Sequence, residues 1–150
     1  MPKTRFFSPP GSRAGFNLIE VTVVLAIAGI LSGITLPRAA GFLDRVKVRG
    51  AVTEIASLFS TARHAAISRA SQVVLEIDPS TTSITLRAGP DTLQRREIGL
   101  VHGVALTTNR ESITYSPMGT GYGAANFTMI VTRRNAADTI VVSRLGRVRY

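Results

Sequence analysis

One apolar run near the amino terminus limits what this chain can fold into. Residues 16–36 form a stretch of 21 residues whose only charged side chain is Glu20, and Pro37 follows it. A helix that rises about 1.5 Å per residue would make this run about 31 Å long, which is the hydrocarbon thickness of a bilayer. We therefore predict a membrane-spanning helix over residues 16–37.

Glu20 within this run has two interpretations. The helix can be a plain signal anchor, in which the Glu20 carboxylate lies near the end and reaches the interface. Alternatively Glu20 is functional, since an ionisable group inside a spanning helix costs a few kcal/mol. Basic residues flank both ends of the run, so the positive-inside rule does not decide the topology. They are Lys3, Arg5 and Arg13 before it, and Arg38, Arg45, Lys47 and Arg49 after it.

The segment after the apolar run has helical periodicity. Residues 38–70 contain no proline, and apolar side chains recur at steps of four and three. This pattern predicts an amphipathic helix that continues the spanning helix and packs on a globular head, although the stripe could instead contact a partner. The stripe consists of Val48, Val52, Ile55, Phe59, Ala62 and Ala66.

From residue 71 the period changes to that of strands. Short runs rich in Val, Ile and Thr alternate with turn sequences at hairpin spacing, which predicts an antiparallel sheet in residues 71–150. The expected fold class is α+β, with one long N-terminal helix packed on that sheet. Predicted strands lie at 73–77, 84–86, 94–100, 104–107, 113–115, 127–132, 139–143 and 147–150.

Composition argues against catalysis. The chain of 150 residues has no cysteine, and its two histidines, His64 and His102, have no ligand at metal-binding spacing. Lysine occurs only at positions 3 and 47, so there is no P-loop. The glycine-rich residues 119–123 precede a predicted strand rather than a helix, which argues against a dinucleotide site. We predict no catalytic residue, cofactor or metal.

Arginines are concentrated near the carboxyl terminus. The whole chain carries a net charge of +9, and five arginines fall in the last 18 residues against the single acid Asp138. They form either a solvated basic sheet edge or a phosphate-binding surface. If the last strands pair, the two groups could approach one another. The candidate residues are Arg133, Arg134, Arg144, Gly146, Arg147 and Arg149.

The start of the apolar run resembles the cleavage motif of type IV prepilins. Residues 15–20 read Gly-Phe-Asn-Leu-Ile-Glu, after a short basic leader, residues 1–15, that is not an ordinary signal peptide. The resemblance implies that a prepilin peptidase cuts between Gly15 and Phe16 and methylates Phe16. It further implies a cytoplasmic leader, a periplasmic head, and a Glu20 carboxylate that pairs with the amino terminus of a neighbouring subunit.

The head is similar to the GspH/FimT minor pseudopilins. The stretches that carry this likeness are residues 62–69, 113–119 and 143–149. The resemblance implies a minor subunit, anchored in the inner membrane and later in a surface filament, of a type II secretion pseudopilus or a type IV pilus. Its partners would be other pilins, the prepilin peptidase and membrane lipid. The ending Gly146-Arg147-Val148-Arg149 also resembles members that bind DNA in natural transformation, so DNA is an alternative partner.

Overall fold

The computed structural model describes residues 15–122 and 127–150, without the side chains of residues 36 and 37. Apart from Gly15, the predicted leader lies outside these residues, as does the end of the glycine-rich run at 119–123. The chain divides into two compact units between Pro37 and Arg38. Helix α1, Leu18–Ser68, supplies residues to both units.

The first unit contains the apolar start of α1. The side chains of residues 16–35 are all exposed, including large apolar ones such as Phe16 and Leu18. An 18-residue window of the helix has a mean hydropathy of 2.2, and none of it is buried. The helix is therefore long and apolar enough to cross a membrane.

In the second unit, α1 supplies one face of the hydrophobic core. All six residues of the predicted stripe, from Val48 to Ala66, are buried, so their assignment to the core is confirmed. Ala51 and Leu58 extend the same face. Each large side chain buried in this way contributes roughly 1.5–3 kcal/mol from the hydrophobic effect.

In residues 38–122 and 127–150, the second unit also contains nine strands and one short helix. Every strand pair is antiparallel, and the strands form two sheets with the orders β3-β2-β1-β5-β6 and β4-β7-β8-β9. The predicted α+β class is confirmed, but there are two sheets rather than one. The elements are β1 Val73–Asp78, β2 Ser83–Ala88, β3 Asp91–Glu97, α2 Ile98–His102, β4 Ala105–Thr108, β5 Ser112–Tyr115, β6 Gly121–Tyr122, β7 Phe127–Arg133, β8 Ala136–Val142 and β9 Val148–Arg149.

Side chains of α1 and of both sheets share one hydrophobic core. Alternate residues of β1 and β7 point inward, as the burial of Leu75 and Met129 shows. Phe59 of α1 meets Phe127 of β7 edge to face, with ring centroids 5.5 Å apart. This geometry is the one that aromatic pairs prefer, and it adds to the energy of burial.

The structure corrects the predicted strand at residues 94–100. Strand β3 ends at Glu97, and Ile98 begins the single-turn helix α2, which Gly103 closes with a φ of 65°. Gly99 lies so close to Thr82 that any β-carbon at position 99 would overlap the Thr82 side chain. A left-handed glycine at the end of an apolar run is the usual signal for a helix end.

Candidate functional site

The start of α1 is organised by Asn17. Its side-chain Oδ1 accepts a hydrogen bond from the backbone N–H of Ile19 at 3.2 Å, and its carbonyl accepts one from Val21 at 3.1 Å. Asn17 is thus the N-cap, and Glu20 lies in the first turn, where a negative charge offsets the positive end of the helix dipole. Both Phe16 and Glu20 are exposed, with 83% of the Phe16 surface accessible.

A second site lies in the head, where the three stretches that resemble pseudopilins meet. Residues 62–69 form the last turns of α1, residues 116–119 form a turn after β5, and residues 143–146 form the turn before β9. The backbone N–H of Gly121 donates to the carbonyl of Arg144 at 3.3 Å and so connects the last two segments. We call this region the Arg63 crevice, after the α1 residue on which both turns lie.

Two glycines allow the turns to approach Arg63 closely. Gly119 has a φ of 76°, and a β-carbon there would lie 3.0 Å from Nε of Arg63. Gly146 has a φ of 74°, and its β-carbon would lie 3.1 Å from a ring carbon of Tyr115. Any side chain at either position would therefore be strained and crowded. Gly146, predicted as part of a DNA-binding ending, has a conformational role in this turn.

Two buried polar atoms in the crevice have no hydrogen-bond partner. They are Nε of Arg63 and the hydroxyl of Tyr115, and they are the only such side-chain atoms in residues 15–122 and 127–150. Burial raises the pKa of Tyr115 to about 12, while the positive charge of Arg63 acts in the opposite direction. The phenol is therefore neutral at physiological pH and can donate a hydrogen bond.

Three C-terminal arginines lie in or after the turn at residues 143–146. Arg144 lies in the turn itself, and Arg147 follows it, with its backbone N–H donating to Oγ of Ser143 at 3.2 Å. Arg149 lies on the edge strand β9 opposite Val141. All three arginines are exposed. This end of the head therefore presents three cationic side chains to solvent.

Arg133 and Arg134 lie elsewhere, at the hairpin between β7 and β8. Arg133 pairs with Ala136, whereas Arg149 pairs with Val141, five residues farther along β8. Five residues of strand span about 17 Å. The expectation that the two arginine groups approach one another is therefore wrong, because they lie beside opposite ends of β8.

The Arg133 guanidinium forms hydrogen bonds within the head. Its Nε donates to the buried carboxylate of Asp44 at 2.8 Å. Its Nη1 donates to the carbonyls of His102 and Gly103, at 2.7 and 2.9 Å, where α2 ends. Arg134, by contrast, is 70% exposed and lies 3.7 Å from the same carboxylate. Arg133 thus holds α2 against α1 rather than facing a ligand.

Replacing Arg133 is expected to destabilise the head strongly. Arg133→Ala leaves the buried Asp44 carboxylate and two carbonyls without their main donor, which should lower the free energy of unfolding by roughly 3 kcal/mol. Arg134→Ala is the matched control and should cost under about 0.5 kcal/mol, as exposed ion pairs do. Urea unfolding of the two variants measures this difference, and equal losses would contradict the role given to Arg133.

The histidines also differ in their surroundings. His64 is exposed on α1, whereas Nε2 of His102 lies 2.7 Å from Oε2 of Glu54. The other carboxylate oxygen of Glu54, Oε1, lies 3.9 Å from Nε of Arg96. No sequence pattern indicated this contact, because 48 residues separate Glu54 from His102. No group of three potential metal ligands occurs in the part of the chain that the structure describes.

Comparisons with known proteins agree with this architecture. Residues 51–146 match the model of a family described as "Type II transport protein GspH". Two fimbrial proteins of Pseudomonas aeruginosa are each 34% identical over 82 residues, or 55% of this chain. The chain spans about half the length of these curated relatives, since the match covers 53% of each.

Solved structures show the same fold. The type IV minor pilin FimU of Pseudomonas aeruginosa, in two crystal forms, superposes with TM-scores of 0.60 and 0.56 at 16% and 14% identity. These matches cover 72% and 67% of this chain and 90% of each FimU chain. Because the family model covers well over half of the residues, the chain belongs to the GspH family of structural pilins and pseudopilins.

Proposed function

We propose that the protein is a minor subunit of a type II secretion pseudopilus or a type IV pilus, in which it contributes to filament assembly. The observation that carries the proposal is the family match over residues 51–146, joined to an exposed apolar helix that begins at Leu18. A helix that is apolar all round and unburied needs either lipid or other helices around it. A membrane supplies the first environment, and a filament supplies the second.

The N-terminal motif is consistent with a subunit that lies first in the membrane and then in a filament. The leader, residues 1–15, stays in the cytoplasm, the helix crosses the inner membrane once, and the head lies in the periplasm. Prepilin peptidase cuts between Gly15 and Phe16 and methylates Phe16. The Glu20 carboxylate then pairs with the amino group of a neighbouring subunit, so that neither charge remains uncompensated among apolar helices.

Recovery of the full-length protein in filaments tests the assignment. Filaments sheared from cells that make the protein should contain it as a minor component among other pilins. Protein that is confined to the membrane fraction, while the other pilins assemble normally, would contradict it. A defect in protein secretion or in pilus-dependent motility after deletion would then distinguish the two filament systems.

A second candidate function is DNA binding by the same filament subunit. It rests on the three exposed arginines, Arg144, Arg147 and Arg149, that follow one another in the last turn and edge strand. Arginine binds phosphate through two parallel hydrogen bonds, which makes it suited to a nucleic-acid backbone. Arg133 does not belong to this group, because Asp44 and two carbonyls occupy its guanidinium.

DNA binding by the head should be weak, insensitive to sequence and dependent on salt. Replacing both Arg147 and Arg149 with alanine should weaken binding equally on unrelated sequences, because phosphate contacts carry no sequence information. Each lost contact should reduce the slope of log affinity against log salt by roughly 0.9 on duplex DNA, or about 0.7 on single strands. Fluorescence anisotropy with the head, residues 38–150, measures both effects.

The control replaces two arginines outside this group. Arg87→Ala with Arg110→Ala removes the same charge, and Arg87 faces Glu76 at 3.8 Å rather than the Arg63 crevice. Equal loss of affinity in both double variants would mean that net charge, and not a site, attracts DNA. If the parent head binds no DNA at low salt, about 50 mM, only the structural role remains.

A further inference from the structure

The Arg63 crevice is a candidate binding site in the head. Tyr115 is fully buried, yet its hydroxyl has no partner, and neither does the buried Nε of Arg63. The ion pairs in the described part of the chain use Arg87, Arg96, Arg133 and Arg134, and none uses Arg63. A buried donor without an acceptor destabilises the folded state, so its presence calls for a ligand or a bound water.

The rim of the crevice indicates what kind of ligand fits. Met118 at the tip of one turn is 89% exposed, Leu145 at the tip of the other is 61% exposed, and Ile67 of α1 is 46% exposed. Ile67 also packs against Gly119, so α1 and the first turn form one apolar surface. Exposed Arg144 and Arg147 lie beside it. The surface therefore combines apolar side chains with positive charge around a central guanidinium.

We propose that the Arg63 crevice docks an acidic segment of a neighbouring filament subunit, whose carboxylate pairs with the Arg63 guanidinium. This inference rests on the proposed function, because it requires the protein to assemble with other pilins. Met118 and Leu145 pack on apolar side chains that flank the acid and exclude water from the ion pair.

Charge and chemistry favour this partner over two others. After removal of residues 1–15 the chain has 15 basic and nine acidic residues, so a second copy of it would be repelled. DNA would use the arginines, but its phosphates gain nothing from the exposed side chains of Met118 and Leu145. A protein segment uses both, since interfaces combine an apolar centre with arginine anchors.

Photo-crosslinking in intact cells tests the proposal. A photoreactive amino acid at position 118 of the full-length protein should crosslink to another pilin, and mass spectrometry should place the link next to Asp or Glu residues. The matched control carries the same amino acid at position 100, because Leu100 is similarly exposed, at 80%, but lies on α2. The control should give no such link.

Arg63→Met connects the crosslink to the crevice. It keeps the apolar stem but removes the charge and the donors, and it should reduce the crosslink from position 118 by about tenfold or more. Arg69→Met, which removes an exposed charge six residues farther along the chain, just after α1 ends, should leave the crosslink unchanged. Tyr115→Phe should leave it unchanged, because the fully buried Tyr115 hydroxyl does not reach the docked segment.

Stability measurements separate docking from folding. Because Nε of Arg63 and the Tyr115 hydroxyl have no partner in the described residues, neither Arg63→Met nor Tyr115→Phe should lower the thermal midpoint of the full-length protein in detergent. A crosslink that survives Arg63→Met, one to a second copy, one to DNA, or a thermal midpoint that falls with the crosslink would overturn the proposal. Absence of the parent protein from filaments would instead overturn the proposed function.

Discussion

Protein extracted from the membrane is expected to begin at a methylated Phe16 and not at Met1. The Gly-Phe-x-Leu-x-Glu motif of residues 15–20 is the reason for this expectation. Helix α1 begins at Leu18, so the bond between Gly15 and Phe16 precedes the first helical residue, and both residues are exposed. A peptidase can thus reach this bond without unwinding the helix. Intact-mass analysis measures the outcome directly.

Substitutions at Gly15 sharpen this test. Apart from its chain neighbours, no described residue lies within 4 Å of where a β-carbon of Gly15 would be, so a side chain there meets no steric obstacle in the described structure. Gly15→Leu should block cleavage, and Gly15→Ala should slow or tolerate it, because the peptidase and not the fold discriminates between them. Gly41→Leu is a control in an equally open position that should be processed normally. A mature chain that starts at Met1, in cells with an active prepilin peptidase, would refute the assignment.

The sequence predicted those parts of the fold that depend on the spacing of apolar residues within one segment. The steps of four and three from Val48 to Ala66 identified the buried face of α1. The one-turn helix α2 was missed because its residues, rich in β-branched and aliphatic side chains, also fit a strand. Its end is fixed by the left-handed Gly103, whose role only the folded chain makes plain.

For the sites, the sequence predicted which residue types matter but not which of these residues lie together. Sequence alone grouped Arg133 with Arg149 because both are arginines near the carboxyl terminus. The contact between Arg133 and Asp44 joins residues 89 positions apart, and no short-range pattern encodes it. Likewise, the stretches containing Arg63, Gly119 and Gly146 were identified separately by resemblance. Their convergence on one crevice follows from the pairing of strands and not from spacing along the chain.

Glu20→Val is expected to leave membrane insertion intact but to remove the protein from filaments. In the membrane, valine replaces the single charged residue of the apolar run, so insertion should be unchanged or improved. In a filament, the same change leaves the amino group of the neighbouring subunit unpaired among apolar helices. An unpaired buried charge costs about 3–5 kcal/mol, which corresponds to roughly a hundredfold or greater fall in incorporation.

A separate role for Glu20 in starting the helix must be excluded by a second variant. Glu20 lies in the first turn of α1, where a carboxylate stabilises the helix by about 0.3–1 kcal/mol. Asn17→Ala weakens the same helix start by about 1 kcal/mol, since it removes the cap on the N–H of Ile19, but it retains the Glu20 carboxylate. If pairing is what matters, Asn17→Ala should reduce incorporation by about fivefold at most.

Quantitative immunoblots of membrane and sheared-filament fractions compare the three proteins. The ratio of filament to membrane signal should fall steeply for Glu20→Val and only slightly for Asn17→Ala, with equal totals in the membrane. Intact-mass analysis of each variant ensures that incomplete cleavage at Gly15 does not account for a loss. Equal recovery of Glu20→Val and the parent in filaments would reject the pairing. Equal losses in both variants would assign Glu20 to the helix start alone, because the two substitutions share only that effect.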